Sequence, residues 1–378
     1  MGVGYLGEEI KKLGFGFMRL PELNGETDIE QVKKMVDSYM EKGFTYFDTA
    51  YVYGNGISEN AVKRAVIERY PRESFQVANK LPLWVCQKPE DMEEVFNTSL
   101  ERVGVEYFDY YLVHALDKAK ADKAEEFGAW EFVKKMKAEG KIKHIGFSFH
   151  DSAEVLGEIL EKHGHEVEFV QLQINFADWE DDNVQSRKCY EMVMKYNLPV
   201  IIMEPVKGGS LVGLPEKAKE VLLSANPGAS IPSWAIRYCA SLDNIITVLS
   251  GMSTEEQLND NISYMEDFVP LSEGERKSIA KVVDIIKEVP TVPCTGCKYC
   301  VDDCPMKINI PELIRVSNIN RMFGVEGEPP INAESYGFAT NGNGKASDCI
   351  KCKKCEGHCP QHIHITEELD NIAAVYES

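Results

Sequence analysis

Eight of the eleven cysteines fall in two short runs near the C-terminus. Cys294, Cys297, Cys300 and Cys304, followed by Pro305, give C-x2-C-x2-C-x3-C-P, and Cys349, Cys352, Cys355 and Cys359, followed by Pro360, repeat it. At this spacing one tight loop wraps three thiolates around one face of an iron–sulfur cube, and the fourth cysteine reaches across to the other cube. One 4Fe–4S cluster is therefore assigned to Cys294, Cys297, Cys300 and Cys359, the other to Cys349, Cys352, Cys355 and Cys304. Zinc is the alternative, since paired C-x-x-C also builds tetrahedral sites. The doubled order of eight thiolates favours iron and sulfide. Cys86, Cys189 and Cys239 are scattered and read as buried small hydrophobes.

A second group carries acid–base chemistry. Asp48 ends an apolar run in Phe-Asp-Thr-Ala and Tyr53 follows it; Lys80 ends the next in Ala-Asn-Lys, and His114 a third in Leu-Val-His. Singly each has an ordinary explanation: a turn cap, a half-buried ring, a snorkelling lysine, a satisfied core histidine. At three successive strand ends, where barrel enzymes keep their chemistry, they read together as a catalytic set.

These residues need a scaffold that brings strand ends together. Between residues 13 and 268, short β-rich apolar runs alternate with amphipathic stretches, the pattern of repeated βα units. Eight strands are expected, at 13–17, 45–48, 76–80, 107–114, 144–149, 169–173, 199–204 and 245–249. Helices are expected at 28–42, 90–102, 124–138, 184–196 and 254–264, where apolar positions recur three or four apart. Eight units, with no G-x-G-x-x-G after the first strand, favour a closed (β/α)8 TIM barrel over an open dinucleotide fold. The expected division is a barrel over 1–270, a packing helix (273–287) and proline-flanked linker over 271–293, and a mainly α-helical two-cluster domain over 294–378. A helix is expected over 310–322 and a long irregular loop over 324–344. The βα alternation and the paired cysteine runs are the expected extent of internal repetition.

The segments Phe-Asp-Thr-Ala-Tyr-Val-Tyr-Gly, Ala-Asn-Lys-Leu and Tyr-Leu-Val-His resemble those of the aldo/keto reductase superfamily over roughly residues 5–268. With the cysteine runs, which match the bacterial two-cluster ferredoxin pattern, the chain resembles the ferredoxin-fused branch of that superfamily. The number of residues between the runs and the helix over 310–322 resemble the α-helical ferredoxin modules of fumarate reductase-type subunits.

The resemblance implies roles. Tyr53 is the general acid that protonates a substrate carbonyl as hydride reaches its carbon. Lys80, held by Asp48, lowers the tyrosine pKa from its ordinary value near 10. His114 orients the carbonyl. Ser148 in Ile-Gly-Phe-Ser and Gln171 in Val-Gln-Leu-Gln contact the carboxamide of NADH or NADPH. Met203 and Pro205, in Met-Glu-Pro, border the nicotinamide, with Met203 standing where relatives stack an aromatic. Phe149 stands where relatives carry Asn. Gly251, Gln257 and Asn261 lie in the segment that grips the adenosine phosphate, which in NADPH-preferring relatives carries Lys or Arg. Here it has neither between Ser250 and Asn261, and Glu255 and Glu256 add negative charge. NADH, weak NADPH binding and loss of nicotinamide dependence stay open.

A formal charge of −20 repels phosphate backbones and anionic lipid, so neither nucleic acid nor a membrane surface is an expected partner. The N-terminal stretch lacks the pattern of a secretory signal, and no run approaches a membrane span. An anaerobe-type, cytoplasmic oxidoreductase of a small carbonyl compound is expected, with clusters linking it to a ferredoxin or another electron carrier. A nucleotide-binding redox sensor or electron-transfer adaptor without carbonyl turnover is the rival, because barrel folds host many functions.

Overall fold

Eight parallel strands close on themselves in the computed structural model, which describes residue 6 and residues 9–182, 184–301, 303–325 and 327–378. They are β1 (Leu13–Gly16), β2 (Tyr46–Asp48), β3 (Gln76–Leu81), β4 (Phe108–Leu116), β5 (Ile142–Phe149), β6 (Phe169–Gln173), β7 (Val200–Met203) and β8 (Ile245–Gly251). Each pairs with its neighbours in chain order, and β8 returns to β1. All eight expected strands are present.

Around the barrel run α1 (Ile29–Glu41), α2 (Ile57–Val62), α3 (Asp91–Val103), α4 (Lys118–Phe127), α5 (Ala129–Ala138), α6 (Ala153–His163) and α7 (Ser186–Lys195). Then come α8 (Glu216–Ala225), α9 (Ile231–Ala240), α10 (Glu255–Met265) and α11 (Glu273–Lys287). Several starts are capped by a short polar side chain that accepts from the first turn: Asp28 from the Gln31 amide, Ser152 from Val155, Thr254 from Gln257. One expected helix is corrected. The stretch 124–138 is two helices, because Gly128 adopts φ 67°, ψ 38° between them, the left-handed conformation that ends a helix.

Strand pleating explains how the barrel combines a core with a reactive rim. Tyr46, Ala78, Tyr110, Leu112, Phe169 and Ile201 pack in one buried apolar cluster. Side chains two apart on a strand share a face. The next inward positions are therefore Asp48 above Tyr46, Lys80 above Ala78, His114 above Leu112, Gln171 above Phe169 and Met203 above Ile201. Gly146 leaves room for this floor: a Cβ there would stand 2.6 Å from the Phe169 ring.

The division into units is not a single cut. One compact unit holds the chain through Pro205 together with Pro232–Glu273; the other holds Val206–Ile231 and Gly274–Ser378. Residues 206–231, expected within the barrel, thus cluster with the C-terminal part. There Gly213 approaches the Phe323 carbonyl so closely that a Cβ would be 2.0 Å from its oxygen.

The second unit continues with α12 (Ile310–Phe323), α13 (Ala333–Thr340), α14 (Lys354–Gly357) and α15 (Ile365–Tyr376). Helix α13 corrects the expectation of a wholly irregular 324–344 loop; its Tyr336 is buried and stacks on Tyr376 at 4.9 Å. Repetition also reaches beyond the cysteine runs. Cys-Pro-x-x-Ile-x-Ile-x-Glu occurs at 304–312 and at 359–367. Positive φ angles recur at matched positions: Gly296 (68°) and Lys351 (55°), Lys298 (64°) and Lys353 (58°), Lys307 (53°) and His362 (52°). The residues before α12 and α15, Asn309 (φ −78°, ψ 69°) and His364 (φ −74°, ψ 70°), superpose in dihedral space.

The floor supplies a stability test. Gly146→Ala forces a methyl group into the Phe169 ring, and denaturant unfolding should show a loss of about 1–3 kcal/mol. Unchanged stability would show that the floor has slack.

Candidate active site and cluster-binding cavities

The Lys80 side chain is fully buried, so its ammonium needs acceptors close by. It donates to Asp48 Oδ1 at 2.6 Å and to the Thr49 carbonyl at 2.8 Å, with the Tyr53 ring beside it. Burial pulls the ammonium pKa down, but Asp48 and then Tyr53 outweigh it and the net direction is up. Lys80 is thus held as a cation. Burial pushes the Asp48 carboxyl up against the pull of that same cation, and its Oδ2 has no hydrogen-bond partner.

Tyr53 reaches this pair through an unusual turn. Gly54 (φ 56°), Asn55 (φ 52°) and Gly56 (φ 92°) are consecutive left-handed residues, which Gly and Asn tolerate best. The Lys80 Nζ lies 4.8 Å from the centroid of the half-buried Tyr53 ring. Burial raises the phenol pKa, Lys80 lowers it, and the net direction is upward. This reverses the expected lowering: enclosure outweighs the cation. A field from Glu204, whose own φ is +59°, adds to the upward push.

His114 stands edge-on to Tyr53, ring centroids 6.0 Å apart, and 5.0 Å from the ring of Trp84. Burial, then Lys80, drives its pKa well below the ordinary histidine value, so the ring is neutral near pH 7. Its Nδ1 has no partner. The next residue, Ala115, has φ 51° and interrupts the β4–β5 register. Its amide donates to Ser148 Oγ at 2.7 Å, bracing the bend that ends on His114. Trp84 is thus at the site, whereas Trp179 packs against Tyr190 and Tyr238.

Behind the set lies a residue that sequence reasoning missed. Glu59 is completely buried; it accepts from Asn79 Nδ2 at 2.9 Å and pairs with Arg102 at 3.1 Å. Asn79 in turn accepts from the Lys80 amide at 2.8 Å. Nothing in Ser-Glu-Asn distinguishes this glutamate from a solvated helix position. Its signal would have been the lone Arg102 one helix away.

Among the residues expected to hold a nucleotide, Gln171 is buried, gives its amide nitrogen to Met203 Sδ at 3.3 Å, and leaves its Oε1 without a partner. The Ser148 oxygen accepts from Ala115, which leaves its own proton to donate. A free amide acceptor beside a hydroxyl donor suits a carboxamide. Pro205 follows Glu204 at the rim and is buried. Gly251 ends β8, with Arg19 adjoining it. Gln257 and Asn261 are engaged internally: Gln257 Oε1 accepts from the Ser253 amide at 2.7 Å, and Asn261 donates to Ser250 Oγ at 2.9 Å.

The eight cysteines of the two runs line two separate cavities, and none of the eleven cysteines is in a disulfide. Cys294, Cys297 and Cys300 share the first cavity with Cys359. Cys349, Cys352 and Cys355 share the second with Cys304. The fourth cysteine of each run is thus carried to the cavity of the other, and apolar residues such as Ile310 and Leu369 complete the walls. Four thiolates around an apolar-walled cavity fit a cubane.

A model of the aldo/keto reductase family matches residues 12–284, and a model of the 4Fe-4S dicluster domain matches residues 293–364. A probable aldo-keto reductase from Glycine max is 36% identical over 155 residues, 39% of this chain and 43% of that protein. The match to a Mycobacterium aldo-keto reductase, at 33%, covers 50% of it, so the chain spans about half the length of these curated relatives. An NADH-specific methylglyoxal reductase of Escherichia coli is 23% identical over 74% of this chain and 96% of its own. Among solved structures, an aldo-keto reductase from Bacillus halodurans in its holo form aligns over 75% of this chain and 95% of its own, at 22% identity and a TM-score of 0.60. One from Klebsiella pneumoniae in complex with NADPH aligns over 72% and 91%, at 20% identity and a TM-score of 0.59.

Removing Glu59 would strand the Arg102 cation and loosen Asn79. Glu59→Ala is expected to cost about 3 kcal/mol in chemical unfolding. Stability equal to that of the unaltered chain would show that Glu59 does not hold this layer together.

Proposed function

The chain belongs to the aldo/keto reductase family, and from that premise we propose that it reduces an aldehyde or ketone to an alcohol with Tyr53 as general acid. The observation that carries this reading is the buried Lys80 ammonium, bonded to Asp48 Oδ1 and the Thr49 carbonyl and placed 4.8 Å from the centroid of the Tyr53 ring. A bound nicotinamide supplies the hydride. Tyr53, kept protonated at neutral pH by its raised pKa, gives its proton to the carbonyl oxygen. Lys80 stabilises the phenolate that results, and Asp48 keeps Lys80 charged and in place. A neutral His114 donates a ring N–H to the same oxygen and fixes its direction. Ser148 and Gln171 hold the carboxamide, bordered by Met203 and Pro205. Gly251, Gln257 and Asn261 shape the adenosine end. With Glu255 and Glu256 there and no cation between Ser250 and Asn261, the ribose hydroxyl of NADH is favoured over the 2′-phosphate of NADPH. The name of the Escherichia coli relative agrees with that preference.

The dicluster domain is proposed to hold its two 4Fe–4S clusters by the crossed ligand sets and to exchange single electrons with a ferredoxin or a similar carrier. Among the described residues no helix is long and apolar enough to cross a membrane.

Tyr53→Phe should lower kcat/KM for carbonyl reduction by at least about 100-fold while leaving NADH affinity and cluster content intact. The sign of the pH dependence follows from the raised tyrosine pKa. Reduction needs the protonated phenol, so kcat/KM should stay level through neutrality and fall only above about pH 10. An alkaline limb near pH 7, or undiminished turnover in the Phe variant, would sink the assignment. Tight nucleotide binding without turnover on a broad carbonyl panel would favour the adaptor reading.

The crossed ligation has a separate test. Cys304→Ala with Cys349→Ala strikes one cluster only and should leave about four irons per chain, whereas Cys304→Ala with Cys297→Ala strikes both. The reverse order, with both clusters lost in the first pair and only one in the second, would mean that each run keeps its own fourth cysteine.

A further inference from the structure

The repeat in the second unit gives each cluster loop a built-in comparison, because both copies adopt the same backbone. Where they differ in side chain, the fold does not demand the difference. Around the cavity of Cys349, Cys352, Cys355 and Cys304, the exposed positions are Ile350, Lys351, Lys353, Lys354 and, three residues past Cys304, Lys307. Their counterparts around the other cavity are Thr295, Gly296, Lys298, Tyr299 and His362. Four cations thus face one. The acids nearby offset them only in part: Asp370 pairs with Lys351 at 2.8 Å and Glu356 approaches Lys353 to 3.9 Å while it serves Thr366, so among the described residues Lys354 and Lys307 add their charge without an ion pair. On the other side, among the described residues, the near pair is Asp303 with His358. In a chain of formal charge −20, this is a local reversal of sign. At its centre Ile350 is 61% exposed, beside the exposed Cys352.

We propose that the Ile350–Lys354 loop, with Lys307, is the docking surface for a small acidic one-electron carrier protein, and that electrons pass through the cluster it encloses. An exposed apolar centre within a cationic rim is the usual anatomy of a transient electron-transfer contact. Steering by opposite charge raises the encounter rate without demanding high affinity, which suits a partner that must leave after each electron. The same −20 that repels acidic proteins elsewhere makes this patch the place where one can approach. The proposal rests on the clusters being electron carriers, and it adds which of the two meets the partner and what charge that partner bears.

The test uses the full cluster-loaded chain and a reduced, acidic two-cluster ferredoxin as probe, with cluster bleaching followed by stopped flow. Lys353→Glu with Lys354→Glu should slow the second-order step by about tenfold at low ionic strength and flatten its salt dependence. Lys298→Glu, at the matched place in the other loop, should change it by less than about twofold. Iron and sulfide counts, and reduction by a viologen, should be unchanged. If the double Glu variant loads poorly, Lys353→Gln with Lys354→Gln gives the same ordering with a smaller drop. Equal slowing by Lys298→Glu, or no slowing in either pair, overturns the docking assignment. Clusters that the viologen reduces but the ferredoxin does not, in the unaltered chain, would instead overturn the carrier reading itself.

Discussion

The buried cation on β3 is the constraint that the active site serves. An ammonium with no solvent contact is sustained only if every proton finds an acceptor, and one of these must be a charge. The barrel meets this demand with adjacent strands. Asp48 lies opposite Ala78 in the β2–β3 register, so its carboxylate flanks Lys80 two residues on. The turn after β2 turns back through three left-handed residues to deliver Tyr53. Removing the cation would leave a buried carboxylate uncompensated and a phenol with no stabilised anion. The geometry of the site and local stability therefore depend on one interaction.

The second unit solves a related problem by exchange. Each cysteine run supplies three thiols to its own cavity and one to the other, so neither loop is complete alone. The Cys-Pro-x-x-Ile-x-Ile segments then enter α12 and α15 with the same dihedrals, and Ile310 and Ile365 turn inward beside the cavities. The apolar helix starts shield the cluster sites from water on the inside, while Cys297 and Cys352 remain on the outside.

Much of this was legible in the sequence, for identifiable reasons. Strands of a barrel buried on both faces read as apolar runs, and chemistry-bearing residues at their C-terminal ends mark the rim, so Asp48, Lys80 and His114 were visible before the fold was. Cysteine spacing likewise anticipated which four cysteines share each cavity, because short loops leave few geometries. What was not legible depends on contacts distant in sequence. Gly128 looks like any helical glycine until its φ is known. Residues 206–231 follow a barrel strand in sequence, yet Gly213 abuts Phe323 more than a hundred positions later. Glu59 reads as surface until Arg102 and Asn79 close over it.

The direction of the tyrosine shift is the clearest case of a sign that the residue types alone could not set. A lysine beside a phenol argues for a lowered pKa, and the attraction is present here. The enclosure that brings the lysine close also strips water from the phenolate, and Asp48 and Glu204 add negative charge nearby. Desolvation wins. The consequence is a bias in readiness: at neutral pH the resting phenol is the form that can protonate a nascent alkoxide, whereas alcohol oxidation would need the scarce phenolate.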